Sequence, residues 1–506
     1  MARFVAASEA VAAIPDGATV ATDGFSMLGV AEAVFAQISQ AFRDQGHPRD
    51  LTVVHASGQS DRIHGFEHFA VDGLVSRVIG SHWGLMPRMN AFLGEDRAEA
   101  VCLPQGQIAK LYRAIAAGEP GHVSRIGLGT FVDPRQLGGK VNSSAQKATH
   151  DYVELLELHG SEYLFYRSFP IDVGIIRATT VDEDGNATQE EEAVKLDALT
   201  LAQAAHNSGG IVICQAKNRV PSGSLAPKDV VVPGGLIDFV VVAEDPQSEH
   251  RQTNSTAFDP RYISVAAPGQ THGPGQMPDG PRARIGRRAV KFLKQGDVVN
   301  LGTGIPGDTV GPALAETGLR DSVTLTIESG VYGGVPSGGV DFGIATFPSA
   351  IIPHANQFDF YGGGGLDATF MGAGQIDKLG NVNVSLLGGR VIGCGGFIDI
   401  VQSSPRVYFC FTFAGKSPKF VPAVDQVTFS AERALRQGQQ VYYITDRAVF
   451  ELTDSGLSLL ETAPGFDTAK DILAEIPFPV RVSDNESRRR PESATHSVDE
   501  HETKKP

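Results

Sequence analysis

Glu328 is the residue of this chain best placed to react. It closes the run Thr324-Leu-Thr-Ile-Glu328-Ser-Gly330, and Val-Tyr-Gly-Gly-Val-Pro-Ser-Gly-Gly339 follows at once. The residues before it have β character and predict a strand. A side chain at the carboxyl end of a strand lies at the edge where open α/β sheets hold their ligands. The glycines after it let backbone approach a large substrate without adding bulk. A carboxylate in that setting is a candidate nucleophile. A second segment, Gly393-Cys-Gly-Gly-Phe397, follows the strand-like Arg390-Val-Ile392. Consecutive glycine N–H groups can point into a site as an oxyanion hole, and the same residues also suit a plain bulge. Gly127-Leu-Gly-Thr-Phe-Val-Asp-Pro-Arg135, with Gly138-Gly139-Lys140, reads as a loop over a site.

Other chemistries find less support. Gly302-x-Gly304-x-x-Gly307 matches a dinucleotide fingerprint between a strand and a helix, with Glu328 at roughly the distance of a ribose-binding acid. Pro306 removes an N–H that such a turn would offer a pyrophosphate, and the equivalent first-half turn, Gly24-Phe-Ser-Met-Leu-Gly29, lacks the middle glycine. A tight βα connection, with or without another ligand, is the better reading. There is no Gly-x-Ser-x-Gly elbow and no H-E-x-x-H spacing. His55 and His82 stand alone and read as structural histidines. The four cysteines, Cys102, Cys214, Cys394 and Cys410, form no C-x-x-C pair, so no metal site or disulfide framework is expected and a reducing, cytoplasmic setting fits.

These residues need a scaffold that presents them, and the chain carries it twice. Leu51-Thr-Val-Val-His-Ala56-Ser-Gly58 repeats Val323-Thr-Leu-Thr-Ile-Glu328-Ser-Gly330 at an offset of 272, with Ala56 where Glu328 stands. Pro15-Asp-Gly17 resembles Lys294-Gln-Gly296, and Val181-Asp-Glu-Asp-Gly185-Asn-Ala-Thr188 resembles Ile376-Asp-Lys-Leu-Gly380-Asn-Val-Asn383. The offset falls from 279 to 195 between these pairs, so the first half holds about 84 extra residues. A repeat of this length is a duplicated domain rather than a solenoid. Strand–turn–helix patterns recur, as in Ala18–Thr22 before Ala31–Ile38 and Val298–Leu301 before Asp308–Ala315. The expected fold is therefore α/β: two homologous open α/β domains with mostly parallel sheets and one active site between them. The boundaries read as 1–245, a linker at 246–284, a second half at 285–482 carrying the acid, and a charged, disordered tail at 483–506. The basic run Arg282–Arg288 at the linker's end reads as a solvated helix start.

A length of 506 residues allows ample core, and glycine, at 58 residues, gathers in short clusters that suit tight βα turns. The net charge of −15 argues against nucleic acid and anionic membrane as partners. The apolar stretch near the N-terminus is interrupted by Glu9 and suits an amphipathic helix better than a signal peptide, and no apolar run reaches membrane-spanning length.

Taken in order, the motifs resemble the family I CoA-transferases, in the branch with both halves fused. Ile327-Glu328-Ser-Gly330 resembles that family's E-S-G or E-N-G signature, and Gly393–Phe397 its G-x-G-G-F oxyanion loop. Leu103-Pro-Gln105-Gly106 resembles the segment whose Gln helps hold the thioester oxygen, and Gly24-Phe25 and Gly302-Thr-Gly-Ile-Pro306 match other recurrent stretches. The resemblance implies Glu328 as nucleophile, oxyanion donors at Gly395, Gly396 and Gln105, and substrate or CoA contacts at Gly24, Phe25, Gly302, Gly304, Ser329 and Gly330. It also implies coenzyme A as a substrate with no metal or other cofactor, small carboxylates as its other substrates, and a homo-oligomer, dimer or tetramer. An acyl-CoA hydrolase on the same scaffold, a ligand sensor and an NAD enzyme are the alternatives. No Arg or Lys occurs between Asp321 and Lys378, so short monocarboxylates are favoured over dicarboxylates unless Arg88, Arg113 or Arg135 supplies a cation.

Overall fold

Strand Val173–Asp182 is buried along its whole length, which a parallel strand covered on both faces requires. In the computed structural model, which describes residues 2–267, 277–415 and 417–483, it sits mid-sheet in the first half. The order there is Arg3–Phe4, Phe239–Val242, Ile211–Val220, Val173–Asp182, Thr19–Thr22, Leu51–His55, Val75–Gly80 and Glu99–Cys102, each pairing parallel with its neighbour. The second half runs Thr324–Ile327, Val298–Leu301, Ala368–Met371, Arg406–Cys410 and Gln440–Ile444 in parallel, with antiparallel strands added at both edges. The mostly parallel α/β architecture expected from the sequence is present in both halves.

The repeat is visible atom by atom. Gly17 and Gly296 have φ of 74° and 87°, and their N–H groups donate to the carbonyls of Arg49 and Ser322. Asp182 caps its turn by accepting from the N–H groups of Asp184 and Asn186 and from the Asn186 amide; Asp377 does the same with Leu379 and Asn381. Two turns of one design fix the register of both copies. The first half's extra residues add the strands Val75–Gly80 and Glu99–Cys102, the helix Gln105–Ala116, and a small antiparallel sheet of Gly121–Ser124, Val153–Leu158 and Ser161–Arg167.

The Gln105–Ala116 helix joins the halves. It packs on His354–Gly362 and Phe397–Ser403 of the second half and on Ala198–Asn207 of the first. Asp399 accepts from the Gly106 N–H (3.1 Å) and the Gln107 amide (2.6 Å), and a Cβ at Gly106 would lie 2.5 Å from the Phe358 ring. The glycine is needed for that close approach. A small apolar core spans the junction, with Phe25, Leu28 and Val194 against Ile327, Val331 and Ile344.

Several expectations change. The loop from Gly127 to Lys140 clamps the second half: the Gly127 N–H donates to Gln402, the Phe131 N–H to the Val427 carbonyl, and Gly129 faces Ser430. Its aromatic and glycine residues serve that interface, which spacing alone does not reveal. The segment expected as a linker is in large part fastened down. Helix Pro246–Glu249 and its neighbours bond back to the first half through Gln215, Glu191 and Glu192. Helix Pro281–Ala289 begins inside it. The basic run on that helix is paired with acids, through Arg282–Asp308, Arg284–Asp446 and Arg287–Glu316, while Arg288 is buried on the Thr445 carbonyl. The tail expected to be disordered lies outside the described residues from 484 on. No helix among the described residues is long and apolar enough to cross a membrane.

Candidate active site

The Thr324–Ile327 strand delivers Glu328 to the carboxyl edge of the second sheet, where a tight turn reverses the chain into Val331–Tyr332. Gly330 makes that turn possible. Its φ is 102°, and a Cβ there would meet the Ile352 carbonyl oxygen at 2.0 Å, while its own carbonyl accepts from the Ile352 N–H at 2.9 Å. Only glycine fits both conditions. The buried Ser329 hydroxyl donates to the Gly343 carbonyl. Ser329 and Gly330, expected as substrate contacts, are thus occupied in shaping the turn: the Gly330 N–H also bonds within it, to Ile327.

Glu328 is 8 % exposed, and its Oε2 has no hydrogen-bond partner among the described residues. Burial pushes its pKa up to about 7, against the opposing pull of its own backbone amide, the Asn300 side chain and His354. A polar layer underlies it. Asn300 donates to the Tyr361 hydroxyl (3.3 Å) and accepts from Thr369 (3.2 Å), and Thr326 shares a hydrogen bond with Tyr361 (2.9 Å). An acid that titrates near neutrality with an unclaimed oxygen suits nucleophilic or base chemistry.

Gln105 opens the helix after Glu99–Cys102, so the first half reaches the second half's site from a strand end. Its N–H donates to the Gly395 carbonyl (3.0 Å), and its side-chain Nε2 lies 2.8 Å from Nε2 of His354. His354 begins the His354–Gly362 helix and is almost fully buried. Its Nδ1 lies 2.7 Å from Oδ2 of Asp197, whose N–H donates to Asp23. Burial lowers the His354 pKa, but Asp197, Asp23 and Glu328 outweigh it and hold it above the ordinary imidazole value. Asp23 is itself lifted to about 7, by burial and by the Asp197 charge.

The two glycines of the expected oxyanion loop separate. The Gly395 N–H already donates to the Ser81 carbonyl (2.8 Å), so Gly395 is a scaffold residue rather than a donor to substrate. The local backbone, with φ of 53° at Gly395, dictates this and the sequence does not. Gly396 caps the Phe397–Ser403 helix and its N–H has no acceptor among the described residues. Gly24 (φ 149°) lets Phe25 turn inward, where its ring meets His354 edge-on at 6.5 Å between centroids. Phe25 is therefore a wall of the site. Gly302 is held against Met371, and Gly304 (φ 79°) starts the Ile305–Thr317 helix with open space beside it. A cavity of about 270 Å³ lies against that helix, lined by Gly307, Asp308, Gly311, Arg320 and Pro336 among others. No group of three or more potential metal ligands occurs among the described residues.

His55 is the structural residue its isolation suggested: Nδ1 bonds the Ser57 carbonyl, Nε2 accepts from Trp83, and burial drops its pKa to about 4. Sequence reasoning missed His354, Asp197, Asp23 and Asn300. Asn300 did leave a signal, because an amide inside the apolar strand Val298-Val-Asn-Leu301 requires a partner. A lone His after Pro353 and two scattered aspartates gave none.

The model of the coenzyme A transferase family matches residues 4–243 and 283–416. The chain is 40 % identical to the caffeate CoA-transferase of Acetobacterium woodii, over 96 % of this chain and 95 % of that one. It is 39 % identical to the acetate CoA-transferase YdiF of Escherichia coli K12, over 95 % and 92 %. A crystal structure of the acyl-CoA transferase YdiF from E. coli O157:H7, as a thioester complex with CoA, superposes with a TM-score of 0.88 at 36 % identity, covering 96 % and 94 %.

Proposed function

Because this chain belongs to the coenzyme A transferase family, we propose that it moves CoA from a short-chain acyl-CoA to a small monocarboxylate through a covalent thioester on Glu328. The observation that carries this reading is the buried carboxylate at a strand end, with one oxygen lacking a partner among the described residues, in a charge cluster shared with His354, which contacts a side-chain amide from the other half.

Glu328 attacks the thioester carbonyl, the C–S bond breaks, and CoA leaves as thiolate with an acyl-glutamyl anhydride in place. The thiolate attacks the glutamyl carbonyl and expels the acyl group as a free carboxylate, leaving glutamyl-CoA. An incoming carboxylate reverses the two steps and departs as its CoA ester, which restores Glu328. No proton or electron is consumed, so coenzyme A is the substrate and the reading calls for no further cofactor. Splitting the exchange into covalent steps conserves the thioester's free energy. Gly396 N–H and the Gln105 amide are the groups we assign to the oxyanions, each expected to contribute about tenfold or more to the rate.

The acceptor follows from charge. A dicarboxylate needs a cation for its second carboxylate. Arg88, Arg113 and Arg135, the first-half arginines singled out as sources, are already engaged: Arg88 with Glu67, Arg113 with Asp359 and Asn356, and Arg135 with Asp133 and Glu162. Acetate, propionate, butyrate and acetoacetate are therefore the acceptors proposed, with succinate disfavoured. The similar acetate CoA-transferase YdiF and caffeate CoA-transferase, each named after a monocarboxylate, point the same way. Mass spectrometry of protein incubated with acetyl-CoA should find a CoA adduct on the peptide containing Glu328, and borohydride should trap it. Turnover without any adduct would overturn the covalent reading. A panel of acceptors at equal concentration tests the specificity, which is wrong if succinate exceeds acetate and propionate.

A further inference from the structure

Gln105 and His354 meet through one nitrogen from each side chain, and such a contact needs one donor and one acceptor. His354 Nδ1 faces Asp197 Oδ2 and carries a hydrogen for it. A neutral His354 then offers Nε2 as acceptor, and the Gln105 NH2 turns toward the imidazole. A protonated His354 offers Nε2–H, and the Gln105 amide must turn its oxygen there instead. The heavy-atom distance is the same in both states, but the amide points in opposite directions. The end of the amide away from His354 faces Gly395, whose Cβ position lies 3.7 Å from it.

The surroundings select between the two. From the first half, Asp197 and Asp23 face His354; from the second, Glu328 and Asp399 add negative charge. Lys110 and Arg113, on the joining helix, are paired with Asp359. Phe25 and Phe358 close the remaining sides edge-on and offer no charge. Four acids around one buried imidazole favour the imidazolium.

Resting on the reading under Proposed function, we propose that the Asp197–His354 pair is a positioning device: as an imidazolium, His354 holds the oxygen of the Gln105 amide and so turns its NH2 toward the acyl-transfer centre beside Gly395 and Gly396. Loss of the proton releases the amide to its opposite orientation, with its oxygen facing the developing oxyanion. Neither residue is assigned a contact with substrate; the positioning acts through Gln105, beside the direct pull of the His354 charge on Glu328.

The test is the rate of Glu328–CoA adduct formation from acetyl-CoA, measured by quenched flow from about pH 6 to 9, across the range where histidines titrate. The wild-type rate should fall on an alkaline limb. In Asp197→Asn, which is isosteric, that limb should move to lower pH by about one unit or more, with KM for acetyl-CoA unchanged within about twofold. In His354→Gln, whose side-chain N–H can hold the Gln105 oxygen without titrating, the limb should disappear while the plateau rate stays within about tenfold of wild type. An unmoved limb in Asp197→Asn overturns the proposal; so does a limb that persists in His354→Gln, which decides the matter if Asp197→Asn does not fold. Absence of the adduct in wild-type protein that turns over acetyl-CoA overturns the covalent reading instead, so the two failures are distinct.

Discussion

Strands Leu51–His55 and Thr324–Ile327 hold the same place in their sheets and run into the same sequence of turn residues, yet one delivers Ala56 and the other Glu328. The layer beneath each explains what the chain can tolerate there. In the first half Ala21 pairs with Val54 and Gly174; in the second, at the same register, Asn300 pairs with Thr326 and Thr369. Apolar side chains and a glycine have become two hydroxyls and an amide, which bond one another and Tyr361. A carboxylate over the first layer would face only desolvation, whereas over the second it has polar neighbours while still being buried enough to titrate near 7. In the first half the space is instead sealed, with the Ser81 hydroxyl on the Ala56 carbonyl and Trp83 on His55. Duplication supplied the backbone twice, and three strand positions decide which copy can hold an acid.

The comparison breaks most severely at the acid itself. Glu328→Ala, which makes the second strand end like the first, should lower transfer by about 10⁴-fold or more while the protein still folds, since the acid is proposed to carry the covalent step and contributes little packing. Adduct mass spectrometry with a thermal melt checks both halves of that statement. The converse change, Ala56→Glu, should yield no second adduct and should destabilise, because its carboxylate would be buried over an apolar layer.

The turns after the acid come next. Gly330→Ala places a methyl 2.0 Å from the Ile352 carbonyl at a positive φ and should cost roughly 2–4 kcal/mol, with loss of most activity. Gly58→Ala, at the matching position, meets His82 at 3.0 Å with no positive φ and should cost only about 1 kcal/mol. Chemical denaturation of the two variants side by side measures the difference; equal costs would show that the two turns are held alike.

Glu328 also links function to pH. Its folded pKa of about 7 exceeds the ordinary value of 4.5, so the folded state binds this proton more tightly than the unfolded chain does. That stabilisation is complete at acid pH and is lost as pH rises toward and through about 7. Glu328→Gln should therefore gain stability over wild type as pH goes from about 5 to 8, by on the order of 2–3 kcal/mol. A gap that narrows over that range would contradict the assignment. Activity should run the other way, because in the proposed mechanism the attacking species is the carboxylate: kcat/KM should rise with pH on an acid limb near 7. Asn300→Ala, one step toward the first half's layer, should move that limb upward and lower the rate at neutral pH about tenfold. This is the smallest of the catalytic effects, and it measures how much the polar layer contributes.

Much of this was legible in the residues. The alternating run into Glu328, the Gly-rich turn after it, and its replacement by Ala56 pointed to the duplicated fold, which both sheets bear out, and to the acid proposed here as nucleophile. Gly395 and Gly396 look equivalent in sequence, and only the fold shows that one N–H is spent on Ser81 while the other has no acceptor among the described residues. The loop from Gly127 to Lys140 has the composition of a substrate cover, but Gln402 and Val427, nearly 300 residues away, bind it as a clamp.

The sequence by itself determined what is local or periodic: strand ends, glycine turns with positive φ, the repeat, and one carboxylate at one of two matched strand ends. These follow from backbone sterics and from the period of burial, which a short window contains. The tertiary structure alone decided the environment of that carboxylate. His354, Asp197 and Gln105 lie up to 249 residues apart and converge only because the first half's Gln105 helix docks on the second half. The pKa of Glu328, the surroundings of the Gly396 N–H and the charge around His354 all depend on which groups are brought within a few ångströms and away from water, and no single segment of chain carries that information.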